Sequence, residues 1–381
     1  RQSRRGSLMP ARRVAFYAPL KAPTHDTPSG DRRMARLLIQ ALEAAGAAVE
    51  LASDFRAYDG NGDPDRQRAL RDEGAALADG LIEQYRRRNE DARPTAWFTY
   101  HLYHKAPDWI GPRVAAALDI PYLVAEPSFA PKRAGGAWDL GHAAAASAIA
   151  AAEWVFCLTR LDMACVQPLV PARHHLRFLP PFLNAAPFAA AKADRDVTAK
   201  RFGLDPGKRW LLAVAMMRPG DKLASYQRLG AALSRLDGDD WQLLVIGDGS
   251  ARGDVIAALA SIEGKLISPG PLAGSDLPPI YAACDLYLWP GVGEAYGMAY
   301  LEAQAAGLPV VAGNERGVPD VVLHARTGLL TPPGDDGAFA AATRRLLDDG
   351  GLRHKLSQEA RAFVSGERTV AAAAKIIDEA L

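Results

Sequence analysis

Two glutamates, Glu294 and Glu302, stand eight positions apart in the run DLYLWPGVGEAYGMAYLEAQAAGLPVVAGNERGVPD between Asp285 and Asp320. The first falls in a loop and the second on the helix that follows. At about 1.5 Å of rise per helical residue, these carboxylates lie on the order of 10 Å apart, roughly the distance from hexose to ribose in a nucleotide diphosphate sugar. One can accept from hexose hydroxyls while the other accepts from the ribose. Backbone N–H groups near Tyr296, Gly297 and Met298 form a positive helix terminus where a diphosphate belongs. Taken singly, Glu302 reads as a solvated helix residue and Glu294 as a loop charge. However, Leu301 and Ala305 mark a buried stripe beside Glu302, and Ala299, Ala303 and Ala306 allow close approach. The Glu302 carboxylate is therefore expected to be half-buried and to need a partner.

The flanks supply the positioning elements. Leu286 to Trp289 is a short apolar run closed by Pro290 and Gly291, which predicts a buried strand ending in a turn. Met298 to Ala306 predicts a helix, Gly307 stops it, and Val310 and Val311 open another strand beyond Pro309. Strand, loop, helix, strand implies a parallel α/β sheet, and ligands of such sheets lie beyond the carboxyl ends of the strands, where the Gly291 to Gly297 loop falls.

The same alternation runs along the chain. Strands are predicted at Val14 to Tyr17, Val49 to Ala52, Ala96 to Tyr100, Tyr122 to Ala125 and Trp154 to Leu158, with helices at Asp31 to Ala45, Asp65 to Arg88, Trp109 to Leu118, His142 to Ala151 and Leu161 to Leu169. The proline-rich loop Leu179 to Phe188 marks a domain boundary. Further strands follow at Trp210 to Val214, Gln242 to Ile246 and Leu266 to Ser268, ahead of the two already named. The helices of this half are predicted at Ser225 to Leu236, Gly253 to Ile262, Pro278 to Ala283, Gly337 to Asp348 and Leu352 to Val364. The last helix, Val370 to Ala380, is alanine-rich and suited to packing back on the first domain.

At 381 residues the chain fits two α/β domains of ordinary size, placed at 9–185 and 186–365, with 366–381 as the returning helix. Its 45 basic and 44 acidic residues give no electrostatic footprint for nucleic acid. No apolar stretch reaches the roughly 18 residues needed to span a bilayer, which predicts a soluble protein and leaves peripheral membrane contact open. Cys157, Cys165 and Cys284 lack metal-ligand spacing and sit in apolar surroundings, which points to packed thiols in a reducing cytoplasm. Arg1, Arg4 and Arg5 precede Met9 with no apolar stretch behind them, so residues 1–8 read as a leader or tail rather than a signal peptide.

The C-terminal half resembles the retaining GT-B glycosyltransferases of family 4, also called glycosyl transferases group 1. The resemblance rests on LLAVAMMRPGDK, LLVIGDGS, PLAGSDLPPIYAACDLYLWP, the Glu294 to Glu302 pair, GLPVVAGNERGVPDVV and TGLLTPPGD, and is close over Trp210 to Ala380. It implies a GT-B fold, two Rossmann-like domains facing across a cleft that closes on the donor. It also implies metal-independent transfer of a hexose-type sugar from a nucleotide diphosphate sugar to an acceptor hydroxyl with retention. No cofactor and no metal are expected, and the acceptor hydroxyl is that of a glycan, a lipid-linked acceptor or a small molecule. Arg218 and Lys222, on the loop after Trp210 to Val214, would grip the diphosphate and stabilise the charge developing on the leaving group; plain surface charges are the alternative. Gly247, Asp248 and Gly249 would approach the donor through backbone or serve as a tight turn. Leu272 would clamp the base through main-chain groups, and Ala295 and Tyr296 line the donor loop with Glu294, Gly297, Met298 and Glu302.

The first half matches in architecture and loosely in motif. Similar transferases use a glycine-rich loop before the first helix; here only Gly30 remains of it, and Ser29 or Asp31 can equally be a helix cap. His101 and His104 follow a strand at the edge expected to face the acceptor, and a structural role for either is the competing reading. Glu126 stands where many members carry a histidine near the reacting sugar, which leaves its role open. Lys132 and Arg133 lie in a loop rich enough in donors to bind an anionic or polyhydroxyl acceptor. Two rivals share the architecture: a nucleotide-sugar 2-epimerase and a non-catalytic nucleotide-sugar-binding protein. No GxGxxG follows the first strand, against a plain NAD dehydrogenase.

Overall fold

A computed structural model describes residues 12–27 and 29–381; the reading of residues 1–8 as a leader, and the domain start at residue 9, lie outside the described residues. The chain divides into two compact units, one running to Pro180 and including Val370–Leu381, the other Pro181–Thr369. The division falls at Pro180 and Thr369, where the sequence placed it at residues 185 and 365.

In the first unit the strands are β1 (Arg13–Tyr17), β2 (Ala48–Ser53), β3 (Ala96–Tyr100), β4 (Tyr122–Ala125), β5 (Trp154–Cys157) and β6 (His175–Phe178). The helices between them are α1 (Gly30–Ala44), α2 (Pro64–Arg87), α3 (Gly111–Leu118), α4 (Asp139–Ala151) and α5 (Arg160–Val166). All six strands are parallel, in the order β2-β1-β3-β4-β5-β6. β3, β4 and β5 are buried along their whole length, as parallel strands covered on both faces must be. Helix starts follow local chemistry: Ser29, Asp63 and Thr159 each accept a backbone N–H of the first turn that follows, and Pro64 opens α2. The C-terminal helix Val370–Asp378 packs on α1 and buries Ala373, Ala374 and Ile377, with Arg12 paired to Asp378 at its end.

The second unit holds α6 (Ala186–Ala189), α7 (Arg195–Phe202), β7 (Arg209–Val214), α8 (Asp221–Leu233), β8 (Trp241–Ile246), α9 (Arg252–Ala258) and β9 (Leu266–Gly270). It continues with α10 (Leu277–Ala283), β10 (Leu286–Trp289), α11 (Met298–Ala305), β11 (Val310–Gly313), β12 (Gly328–Thr331), α12 (Asp336–Asp348) and α13 (Gly350–Glu367). Its sheet is also parallel, ordered β12-β11-β10-β7-β8-β9. Asp285, just ahead of β10, accepts from Arg195 at 3.0 Å, Arg209 at 3.1 Å and the Trp210 backbone N–H at 2.8 Å, which locks the amino ends of β7 and β10 together.

Each sheet reverses its strand order beside its first strand, at β1/β3 and at β7/β10. In open parallel sheets ligands bind beyond the carboxyl ends of the strands at such a reversal, which makes these two points the places to look for a site.

Several elements depart from the sequence reading. β6 is half-buried throughout and carries His175 and Arg177, so it lacks the apolar run that marks the central strands. β12 was legible only as part of a motif. The helix read over Leu161 to Leu169 ends at Val166 and continues as a 3-10 turn, because Pro168 cannot donate to the α-helical ladder. The helix read over Gly253 to Ile262 likewise stops at Ala258 and passes into 3-10 turns. α6 and α7 were not anticipated.

Candidate functional site

In the second unit Lys222 and Glu294 meet at the β7/β10 switch point. Lys222 was expected on a loop, but Gly220, at φ 81°, turns the chain into α8 four residues earlier than the sequence suggested, and Lys222 occupies the first turn. Its Nζ lies 2.5 Å from Glu294 Oε2, in the loop after β10. The indole N–H of Trp289 donates to the same oxygen at 3.2 Å, and the ammonium stands 5.6 Å from that ring's centre. The pair therefore bridges the segments that follow the two switch-point strands.

The Pro290 to Gly297 loop is held on every side. Ser225 Oγ accepts from the Val292 N–H at 2.9 Å, Pro290 O from the Gly313 N–H at 3.1 Å, and Trp289 O from the Tyr300 hydroxyl at 2.9 Å. Gly291 and Gly297 have φ of 69° and 77°, and a Cβ on either would come within 2.5 Å of the Tyr300 side chain. Only glycine fits both the backbone and the space.

Glu302 is 4% exposed, more deeply buried than the half-buried position expected of it, because α11 is covered all round from Tyr300 to Ala305. The Tyr281 hydroxyl donates to its Oε2 at 2.9 Å, which gives the buried carboxylate the partner it requires. The rings of Tyr281, Tyr287 and Tyr300 form a column with centroids 5.9 and 5.8 Å apart. Burial pushes the Tyr287 hydroxyl well above its usual range, and the charges of Glu302 and Glu294 push it further, so both carboxylates act on one ring. α11 begins at Gly297 with no side-chain cap, leaving its first-turn N–H groups to other acceptors. At this terminus Ala295 is exposed, Tyr296 buried and Met298 half-buried.

Gly247 and Gly249 have φ of 154° and 155°, and a Cβ on them would lie 1.9 Å from Ala215 O and 2.2 Å from Met217 O. They let the turn after β8 close on the segment after β7, where Asp248 O accepts from the Met217 N–H at 2.9 Å. Arg218 is exposed on that segment and, among the described residues, in no ion pair. Leu272 is half-buried in the loop after β9.

The first unit gathers Asp31, His101 and Glu126 at its own switch point. His101 directly follows β3 and Glu126 directly follows β4, and both hold left-handed backbone, φ 58° and 54°. Non-glycine residues keep such conformations only where the surroundings over-determine them. Asp31 Oδ1, in the first turn of α1, lies 2.9 Å from His101 Nδ1. Burial opposes charging His101, but the carboxylates of Glu126, Asp31 and Asp162 outweigh it and raise its pKa. Glu126 is itself pushed up to about 7, first by burial, then by Asp31 and Asp162, with the His101 imidazolium and the Tyr100 hydroxyl pulling the other way. Asp31 is held below its usual range by its hydrogen bond and attraction to His101, against its own burial. The cluster thus favours the charged form of His101 beside an aspartate held low and a glutamate pushed up to about 7.

His104 belongs to a different cluster. Its ring meets Trp138 edge-on at 5.8 Å, Lys105 lies 4.3 Å from the centre of the same indole, and burial with Arg133, Lys105 and His142 lowers its pKa to about 4. It is neutral at pH 7. Lys132 and Arg133 are exposed on a 3-10 turn, Pro131–Arg133. Gly30 opens α1 with open space around its Cβ position, and Ser29 is the cap, its Oγ accepting from the Arg32 N–H at 3.2 Å.

Sequence reasoning missed Trp289, Tyr281 and the pairing of Asp31 with His101. Trp289 closes an apolar strand and reads as core. Tyr281 lies 21 positions before Glu302, and no periodicity joins them.

Residues 208–349 match the family described as Glycosyl transferases group 1. The chain is 32% identical over 220 residues to the D-inositol 3-phosphate glycosyltransferase of Salinispora arenicola, covering 53% of this chain and 49% of that one. It is 32% identical over 163 residues to the 2-deoxystreptamine glucosyltransferase of Streptomyces kanamyceticus, covering 42% of each. The matches thus span about half the length of these relatives or less. Among solved structures, Anabaena HepE in complex with UDP superposes with a TM-score of 0.73 at 16% identity, over 97% of this chain and 99% of that one. Sucrose-phosphate synthase from Thermosynechococcus elongatus gives 0.69 at 20% identity, over 97% and 98%. Residues 208–349 are therefore similar to the glycosyl transferases group 1, and the chain has the two-sheet α/β fold of the GT-B glycosyltransferases.

Proposed function

We propose that the protein is a retaining glycosyltransferase that moves a hexose from a nucleotide diphosphate sugar to an acceptor hydroxyl and needs no metal ion. The observation that carries this reading is the Lys222–Glu294 contact across the β7/β10 switch point, one turn of chain from the uncapped start of α11. That is where a parallel sheet offers a crevice, a cation and helix N–H groups to a phosphorylated ligand. The neighbouring fold with bound UDP, and the curated relatives that are sugar transferases, support the same class.

In this reading Lys222, Arg218 and the first N–H groups of α11 take the diphosphate and stabilise the charge that develops as the glycosidic C–O bond breaks. Glu294 accepts from the hexose hydroxyls and Glu302, fixed by Tyr281, from the ribose. The acceptor hydroxyl enters on the face the diphosphate leaves, which retains the anomeric configuration. The acceptor side belongs to Glu126, His101, His104, Lys132 and Arg133.

A thermal-shift screen of nucleoside diphosphates and their sugars tests the donor, since a ligand of the native state raises the melting temperature. One base is expected to stabilise the protein equally with and without EDTA, and Glu302→Ala to reduce the shift. Equal shifts in both proteins, or a shift that requires a divalent ion, would refute the assignment. Conversion of donor sugar to its 2-epimer without acceptor would replace it with the isomerase.

A further inference from the structure

Lys222 and Glu294 pair with each other, although the donor reading needs each of them for something else. The contact is 2.5 Å, with side chains 28% and 15% exposed, and Trp289 donates to the shared oxygen. Both charges are partly desolvated, so separating them without replacement leaves two poorly solvated ions. A nucleotide sugar replaces both partners: its phosphates meet the ammonium and its hexose hydroxyls donate to the carboxylate. A nucleoside diphosphate replaces only one. Its phosphates draw Lys222 away and leave Glu294 without a donor from the ligand, beside added negative charge.

We propose that Glu294 competes internally for Lys222, so that the site favours the sugar-bearing nucleotide over the spent nucleoside diphosphate and expels the latter once the sugar has gone. Trp289 is the positioning residue: its N–H keeps the Glu294 carboxylate turned toward Lys222, and its ring faces the ammonium. This rests on the donor reading above and adds to it a discrimination between substrate and product.

Titration calorimetry with UDP, GDP and ADP and their glucose derivatives tests it, on the wild type, Glu294→Gln and Glu302→Gln. For the base that binds, Glu294→Gln is expected to hold the nucleoside diphosphate about tenfold more tightly than the wild type, because Lys222 is released from a charged hydrogen bond. The same variant should hold the nucleotide sugar no more tightly, so the preference for sugar-bearing ligand falls about tenfold. Glu302→Gln should weaken both ligands alike. If Glu294→Gln fails to fold, Glu294→Ala is expected to shift the two ligands in the same directions. Nucleoside diphosphate affinity unchanged or weakened by loss of the Glu294 charge overturns the inference while leaving the donor reading intact. A wild type that binds none of the panel overturns both.

Discussion

The Glu126 carboxyl makes a prediction that the two-sheet fold alone would not. Its pKa rises from 4.5 to about 7 because burial, Asp31 and Asp162 together outweigh the attraction of His101. A carboxyl that binds its proton more tightly folded than unfolded contributes stability that is fully present below pH 4.5 and is lost as pH rises through about 7. At about 1.4 kcal/mol per pH unit, the loss amounts to about 3 kcal/mol across that window. His101, raised above 6.5, adds stability below that value and loses it as pH climbs through its folded pKa, so both groups act in the same direction. Asp31, held low, contributes stability above 3.8 and does not change between pH 5 and 8. Glu126→Gln removes the first effect and, by deleting a carboxylate that raises His101, weakens the second. Urea unfolding followed from pH 5 to 8 should show the first unit of the wild type losing about 3 kcal/mol while the variant loses far less. Parallel curves would mean that Glu126 is ionised throughout, and that burial does not hold its carboxyl above the usual range.

Other perturbations test the second unit. Tyr281→Phe deletes the hydroxyl bonded to the buried Glu302 carboxylate and is expected to destabilise by about 1–3 kcal/mol in urea unfolding, with weaker nucleotide binding. Gly297→Ala forces a left-handed residue and brings a methyl to 2.5 Å from the Tyr300 ring, so calorimetry should show a loss of at least about 1–2 kcal/mol and donor binding should fall with it. Asp285→Ala removes the acceptor shared by Arg195, Arg209 and the Trp210 N–H at the base of β7 and β10; because both arginines are partly solvated, chemical denaturation is expected to report a loss of about 1–3 kcal/mol. Trp289→Phe keeps the ring but removes the N–H on Glu294, and should alter the ratio of nucleoside diphosphate to nucleotide-sugar affinity more than either melting temperature or fold.

What could be read from the sequence separates along physical lines. Central strands such as β3, β4 and β10 are continuous apolar runs because both faces are covered, and the structure returns their expected limits unchanged. Edge strand β6 is half-wetted and has no such run, so its existence depends on β5 offering it hydrogen-bonding groups, which is information held elsewhere in the chain. The site divides in the same way. Glu294, Gly297 and Glu302 were legible because they share one loop–helix unit whose glycines have no conformational substitute at Gly291 and Gly297. Lys222 was legible as a residue type, but its pairing with Glu294 spans 72 positions and is fixed by the strand order that sets β7 beside β10. Asp31 and His101, 70 positions apart, meet for the same reason at β1/β3. In both units the composition of a site follows from local sequence, whereas the question of which charge neutralises which is decided by where the sheet reverses. On the donor reading, the pair that closes on itself at β7/β10 is one that the ligand has to undo. Both clusters should therefore respond to charge-removing substitutions more strongly in their binding and titration behaviour than in whether the chain folds.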